Sequence, residues 1–198
     1  MALTTEIHRG ADATPHLKEV ARLRTTVFRE WPYLYEGDIA YETQYLRRYA
    51  TCPDFLLVLA RADGEVVGAS TGQPMSAEST AFKAPFEAAG ESVNPYFYCG
   101  ESVVLPAFRG NGLGKAFFVA RETHARNLPG IRHTCFCAIE RPLPDSRRPS
   151  GHRELHNFWA RLGYTRHPSL AASLEWKEIG TGAELVHTLP FWTKTLSK

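Results

Sequence analysis

Between Arg109 and Lys115 the chain reads RGNGLGK, with three glycines in five residues, and it passes at once into the helical pattern Lys115-Ala116-Phe117-Phe118-Val119-Ala120. A glycine turn feeding a helix N-terminus leaves backbone N–H groups without partners, with the positive end of the helix dipole behind them. Phosphate binds there without any special side chain, and a diphosphate reaches the backbone only where side chains are missing, at Gly110, Gly112 and Gly114. Upstream, Glu101 interrupts the apolar run Tyr96 to Leu105 (YFYCGESVVL). A carboxylate set into such a run is a candidate general base, because partial burial raises its pKa. Its structural alternative is an ion pair or a cap for the neighbouring loop.

Two familiar phosphate motifs fail on spacing. A Walker loop needs GxxxxGK followed by Ser or Thr, and here Gly114-Lys115 is followed by Ala116. A dinucleotide fingerprint needs GxGxxG after an early strand, whereas Gly110 to Gly114 is GxGxG in mid-chain.

These residues need a scaffold. The run Tyr96 to Leu105 has the β-branched and aromatic composition of a buried strand, and Pro106 stops it. Before it the sequence predicts a strand over Thr4 to His8 and helices over Pro15 to Arg29 and Ile39 to Tyr49. A hairpin follows, with strands Phe55 to Ala60 and Val66 to Thr71 joined at Asp63-Gly64. Pro74 to Pro95 is polar and alanine-rich, and Phe82 and Phe86 suggest a short amphipathic helix within a loop, read as a lid over an acceptor site or as a surface elaboration. After the glycine turn come a helix to about Asn127, a strand over Thr134 to Ile139 and a helix over Glu154 to Leu162 closed by Gly163. Strands Ser173 to Ile179 and Leu185 to Leu196 finish the chain. This order describes one mixed-sheet α/β domain over residues 1–198, not the regular alternation of a doubly wound nucleotide fold.

Composition narrows the partners. With 43% apolar residues, 22% charged and a net charge of +2, nothing calls for nucleic acid or a membrane surface. Cys52, Cys99, Cys135 and Cys137 form no CxxC pair, which suits reduced thiols in the cytoplasm and no metal site.

The pattern that remains is (Q/R)-x-x-G-x-(G/A), carried by Arg109, Gly112 and Gly114 directly after the strand ending Val104-Leu105-Pro106. In this the chain resembles the GNAT superfamily of acetyl-CoA-dependent N-acetyltransferases. The element order is similar, and Phe158-Trp159-Ala160-Arg161-Leu162-Gly163-Tyr164 looks like the FY-x-x-x-GF segment of that family's last helix. VFREWPYLYEGD (27–38), GESVVLPAFRGNGLG (100–114) and Phe191-Trp192-Thr193-Lys194 are similar to a bacterial subgroup of it.

The resemblance implies an α+β fold, one twisted mixed sheet of six to seven strands flanked by helices, and acetyl-CoA as co-substrate. It implies that Arg109, Gly110, Asn111, Gly112, Leu113, Gly114 and Lys115 hold the pyrophosphate. Backbone groups near Val103, Val104 and Leu105 would pair with the pantetheine amides, and Asn157 would turn toward the cofactor. It further implies direct transfer of the acetyl group to a primary amine of a small molecule or peptide, with Glu101 accepting the proton directly or through water. The alternative is an acyl-CoA sensor that catalyses little. The family's usual acid is the tyrosine at the second position of FY-x-x-x-GF. Here that position is Trp159, whose indole gives up no proton at neutral pH. Tyr164 and His152 are the neighbouring substitutes.

On the acceptor side, Arg29, Trp31, Tyr33, Tyr35, Glu36, Asp38, Tyr41 and Glu42 combine aromatics with acids, which suits a cation or plain packing. Arg141, Arg147 and Arg148 lie in a proline-rich loop, either solvated or meeting the 3′-phosphate of CoA. Phe191-Trp192 on the last strand suits a homodimer edge.

Overall fold

The computed structural model describes residues 2–197. Strands β1 (Leu3–Arg9), β2 (Leu56–Ala62), β3 (Glu65–Pro74) and β4 (Tyr96–Val104) pair antiparallel in sequence order. β5 (His133–Cys137) runs parallel to β4, and β7 (Glu184–Thr195) lies between β5 and the edge strand β6 (Thr165–Lys177). The result is one seven-stranded mixed sheet in the order β1-β2-β3-β4-β5-β7-β6. Helices α1 (Leu17–Val27), α2 (Ile39–Arg47) and α3 (Thr80–Ala88) pack on one face, and α4 (Leu113–Arg126) and α5 (His156–Arg161) on the other.

The apolar run of β2 follows from this layering. Leu57 and Leu59 pack toward α1, while Leu56, Val58 and Ala60 pack toward α4, so both faces of the strand are buried. The β2–β3 turn has Asp63 and Gly64 at φ 48° and 90°, the primed geometry that an Asp-Gly pair favours. Asp38 caps α2, its carboxylate accepting the Tyr41 N–H at 2.8 Å.

Two segments differ from the sequence reading. β6 begins at Thr165 rather than Ser173, because the register shift between Arg166 and Ala171 takes the residues around Pro168 out of the ladder. The helix within 74–95 is part of the core: Phe86 is fully buried, 5.0 Å from the rings of both Tyr96 and Phe191. No described helix is long and apolar enough to cross a membrane, and the four cysteines are unpaired.

What positions the site is the behaviour of β4. It pairs with β5 only from Tyr96 to Tyr98, and beyond that the two strands splay apart. On the β3 side Ser70 faces Ser102 and Gly72 faces Cys99, so Gly100 and Glu101 together oppose Thr71. This is a β-bulge, and it shifts the side-chain alternation by one residue. Tyr98 and Gly100 face the α1–α3 side, and after the bulge Glu101 and Val103 face that same side. An uninterrupted strand would have turned Glu101 toward α4. Gly100 has no room for a side chain, since a Cβ there would lie 2.7 Å from Thr71 Oγ1.

Candidate active site

On the α4 face, the chain leaves β4 through a short 3-10 turn at Pro106–Phe108 and enters the glycine loop. Gly110 and Gly112 both have φ +82°, a region closed to most side chains, and a Cβ at either would meet no atom within 4 Å. Asn111 Nδ2 folds back to the carbonyls of Phe108 (3.1 Å) and Arg109 (3.3 Å), which fixes the turn. No side chain caps α4, and its first hydrogen bond runs from the Ala116 N–H to the Gly112 carbonyl at 3.1 Å. The N–H groups from Gly110 to Lys115 therefore have no partner among the described residues. An open, glycine-cleared row of donors at a helix N-terminus fits the diphosphate of CoA.

The other residues that the sequence singled out fall around this loop. Leu113 is buried beneath it, and Lys115 and Asn157 are exposed on α4 and α5. Phe158 lies 3.4 Å from the Cβ position of Gly114 and joins the two helices there. Arg109 does not stand free. Its Nε donates to the Val104 carbonyl at 3.0 Å and its Nη1 to Glu30 at 2.9 Å, so its charge is shared with Glu30 at the base of the loop. The Leu105 N–H bonds to Val67 of β3 at 2.9 Å. By strand alternation the backbone of Val103 faces β3 as well, while Ser102 and Val104 face the splay.

On the opposite face a cavity of about 280 Å³ lies between α1, α2, α3 and strands β4 and β6, with Tyr45, Phe82, Tyr98 and Trp176 among its walls. Its charged centre is a buried triad. Arg24 of α1 donates through Nε to Glu42 of α2 at 2.5 Å and through Nη1 to Glu101 Oε1. The other oxygen of Glu101 accepts from Thr71 Oγ1, which itself receives the Glu101 N–H at 2.9 Å. Burial works against the Arg24 charge, but the two carboxylates outweigh it and raise its pKa. One guanidinium between two carboxylates leaves the triad one negative charge in excess. Tyrosines line the remainder: Tyr45 OH lies 2.8 Å from Tyr49 OH, and Tyr98 OH lies 3.3 Å from Cys137 Sγ. Burial pushes the Tyr45 hydroxyl and the Cys137 thiol both up to about 12.

Beside the cavity, Glu78 is buried against Gln73 Nε2 (2.9 Å) and the Ser79 N–H (3.1 Å). Burial outweighs those hydrogen bonds and raises its pKa to about 7. A carboxyl that holds its proton more tightly folded than unfolded weakens the fold as pH rises from the ordinary value of 4.5 toward about 7. Stability in chemical denaturation is therefore expected to fall over that range by up to about 3 kcal/mol, and Glu78→Gln to flatten the profile.

The aromatic wall at Tyr33 is held from outside. Trp176 Nε1 and Arg141 Nη2 both donate to the Tyr33 carbonyl at 3.1 Å. Arg141 and Arg147 both bind buried Glu178, at 2.6 and 2.5 Å, and Arg148 pairs with Glu154 at 3.1 Å. The three loop arginines are thus each paired with a carboxylate of the chain, Arg141 in a buried pair and Arg147 and Arg148 nearer the surface.

The sequence profile of the acetyltransferase (GNAT) family matches residues 20–164, well over half of the chain. The chain belongs to the GNAT family. No curated protein matches the sequence. Among solved structures, the ribosomal-protein-alanine N-acetyltransferase of Brucella melitensis is similar at a TM-score of 0.61 and 15% identity, over 96% of this chain and 99% of that one. The Salmonella typhimurium protein yncA, solved with acetyl-CoA as its cofactor, is similar at 0.57 and 14%, over 100% and 96%. The GNAT-like decarboxylase GphF, in complex with isobutyryl-CoA, reaches 0.62 and 16%, over 98% and 100%. At such identities the likeness is one of fold.

Within this GNAT fold Trp159, at the position of the family's acid, and the two substitutes Tyr164 and His152 lie away from the cavity lining. Trp159 packs half-buried 5.0 Å from Phe136 and 5.1 Å from Trp192 on the α4 face. Tyr164 is buried there too, its hydroxyl 2.8 Å from Thr134 Oγ1 and 3.3 Å from Glu122. His152 lies 3.5 Å from Glu154. Of the aromatic and acidic cluster flagged on the acceptor side, Tyr33, Tyr35, Tyr41 and Glu42 reach the cavity; Arg29, Trp31, Glu36 and Asp38 do not line it. Sequence reasoning missed Arg24 and Thr71. The available signal was an arginine among the buried residues of α1, between Leu23 and Phe28.

Proposed function

We propose that this GNAT protein is an N-acetyltransferase that carries an acetyl group from acetyl-CoA to a small primary amine. One observation carries the reading: a phosphate-receptive loop on one face and a cavity with excess negative charge on the other both belong to the splayed half of β4. Gly110 to Lys115 hold the diphosphate through backbone N–H groups, and the Ser102–Val104 edge is open for the pantetheine amides. Bound acetyl-CoA supplies the acyl group as a thioester.

The triad supplies what the amine needs. An alkylammonium with pKa near 10.4 is only about one part in 2,500 neutral at pH 7, a barrier of about 4.6 kcal/mol. The carboxylates of Glu42 and Glu101 attract the ammonium, and the aromatic walls other than Tyr45, over which Arg24 and Arg48 already lie at 5.0 and 3.8 Å, favour it through cation–π contact. Glu101 takes the proton, directly or through a water. Cys137 is the one thiol in the lining, and burial keeps it protonated. That supports direct attack by the amine rather than an acyl-cysteine intermediate. The departing thiolate, with a reference pKa near 8.5, needs only about 2 kcal/mol of help at pH 7, so proton removal from the amine dominates. In this reading α3 is a fixed wall of the acceptor site, carrying Phe82, rather than a detachable lid.

A thiol-release assay with acetyl-CoA across a library of small amines tests the activity. Acetyl-CoA is also expected to slow amide exchange at residues 110–115. If neither release nor protection appears, the reading fails. Protection without release with any amine favours an acyl-CoA sensor instead, the alternative supported by Trp159 standing where the family carries its acid.

A further inference from the structure

The bulge that turns Glu101 into the cavity is held from both faces of the sheet. On the cavity side Thr71 Oγ1 takes the Glu101 N–H and donates to its carboxylate. On the far side Arg121 of α4 reaches up through Nη1, 3.2 Å from the Glu101 carbonyl and 2.8 Å from Ser102 Oγ. We infer that Arg121 is a positioning residue for acyl transfer: it pins the β4 bulge from the α4 face and so fixes where the Glu101 carboxylate points. This rests on Glu101 being the proton acceptor.

A bulge interrupts the strand ladder and leaves backbone groups to be satisfied by other means. The Glu101 carbonyl finds its donor in Arg121. The arginine is an unusual choice for such a place. It is 1% exposed, its guanidinium lies 4.4 Å from the Phe118 ring, and its hydrogen bonds among the described residues go to a carbonyl and a hydroxyl, not to a carboxylate. Its Nε and Nη2 are buried without hydrogen bonds. Arginine does not deprotonate, so the charge stays, and a buried charge without a counter-ion weakens a fold. An apolar side chain would pack against Phe117 and Phe118 without that cost. Violations of this kind concentrate at functional positions. Arg121 also stands about two turns along the helix whose N-terminus faces the phosphate site. One rigid element therefore sets both the cofactor loop and the bulge.

Arg121→Met is expected to lower kcat by about 10- to 100-fold, the loss of a hydrogen bond to a charged group. KM for acetyl-CoA stays near wild type. Independently of turnover, the amides of Gly100 to Val103 exchange faster while those of α4 do not. Arg121→Lys, which keeps a cationic donor, recovers part of both effects. Unchanged exchange at the bulge overturns the inference. So does faster exchange at every amide together with kcat that follows only the folded fraction, which makes Arg121 a plain stability residue. If Arg121→Met does not yield folded protein, Ser102→Ala removes one of the two bonds at an exposed site and is judged by the same measurements. Glu101→Gln is run alongside. If it turns over as wild type, the proton-acceptor reading has failed, while bulge exchange still decides whether Arg121 holds the strand.

Discussion

Glu101→Gln is expected to reduce kcat by about 10²- to 10⁴-fold, the usual contribution of a positioned general base. The fold should survive it. Arg24 keeps its pair with Glu42 at 2.5 Å, so the change turns a triad with surplus negative charge into a neutral pair. The amide has the volume of the carboxylate, and the Thr71 hydroxyl, now facing it, can accept as well as donate. KM for acetyl-CoA should move little, because the diphosphate loop is on the other face of the sheet. Steady-state kinetics decide it. A variant with wild-type kcat reduces Glu101 to an ion-pair partner.

Arg24→Met has the largest expected effect on stability. It leaves the carboxylates of Glu42 and Glu101 buried without their shared guanidinium, and removing one partner from a buried ion pair costs about 3–5 kcal/mol. For a chain of this length that corresponds to a fall of roughly 10 °C in Tm. The sign of its pH dependence follows from linkage. Two buried carboxylates deprived of their shared guanidinium hold protons more tightly folded than unfolded, so the penalty is small in acid and grows as pH rises through the ordinary carboxyl range. Glu101→Gln in the same chain removes one of the two stranded charges and should restore part of the loss. Urea unfolding of both single variants and the double variant at acid and neutral pH measures this coupling. If Arg24→Met unfolds like the wild type at neutral pH, the triad is not the buried charge centre described here.

Much of this was legible in the sequence, for reasons that are local. The glycine loop, the Asp-Gly hairpin and the Pro106 stop are decided by which φ values and hydrogen bonds a short run of residues permits. The mixed sheet followed from the spacing of apolar runs, and β6 was misplaced only where Pro168 interrupts that pattern. The glycine loop proposed to hold phosphate was readable for the same reason, since its open donors are consecutive backbone groups from Gly110 to Lys115.

Tertiary structure alone decided where Glu101 points and what it pairs with. The triad joins residues 24, 42 and 101 from three elements, and no periodicity in any one of them signals the other two. The direction in which Glu101 points depends on one extra residue in β4 relative to β3, a property of a strand pair that neither strand shows by itself. Arg141 and Arg147 look free in the sequence and are paired in the fold, because Glu178 lies 37 and 31 residues from them in the chain and beside them in space. The sequence by itself determined the scaffold and the phosphate-receptive loop, since local backbone chemistry sets both. The tyrosine-lined cavity, its buried carboxylates and the aim of Glu101 came only with the packed sheet, since each depends on groups that folding brings together from distant parts of the chain.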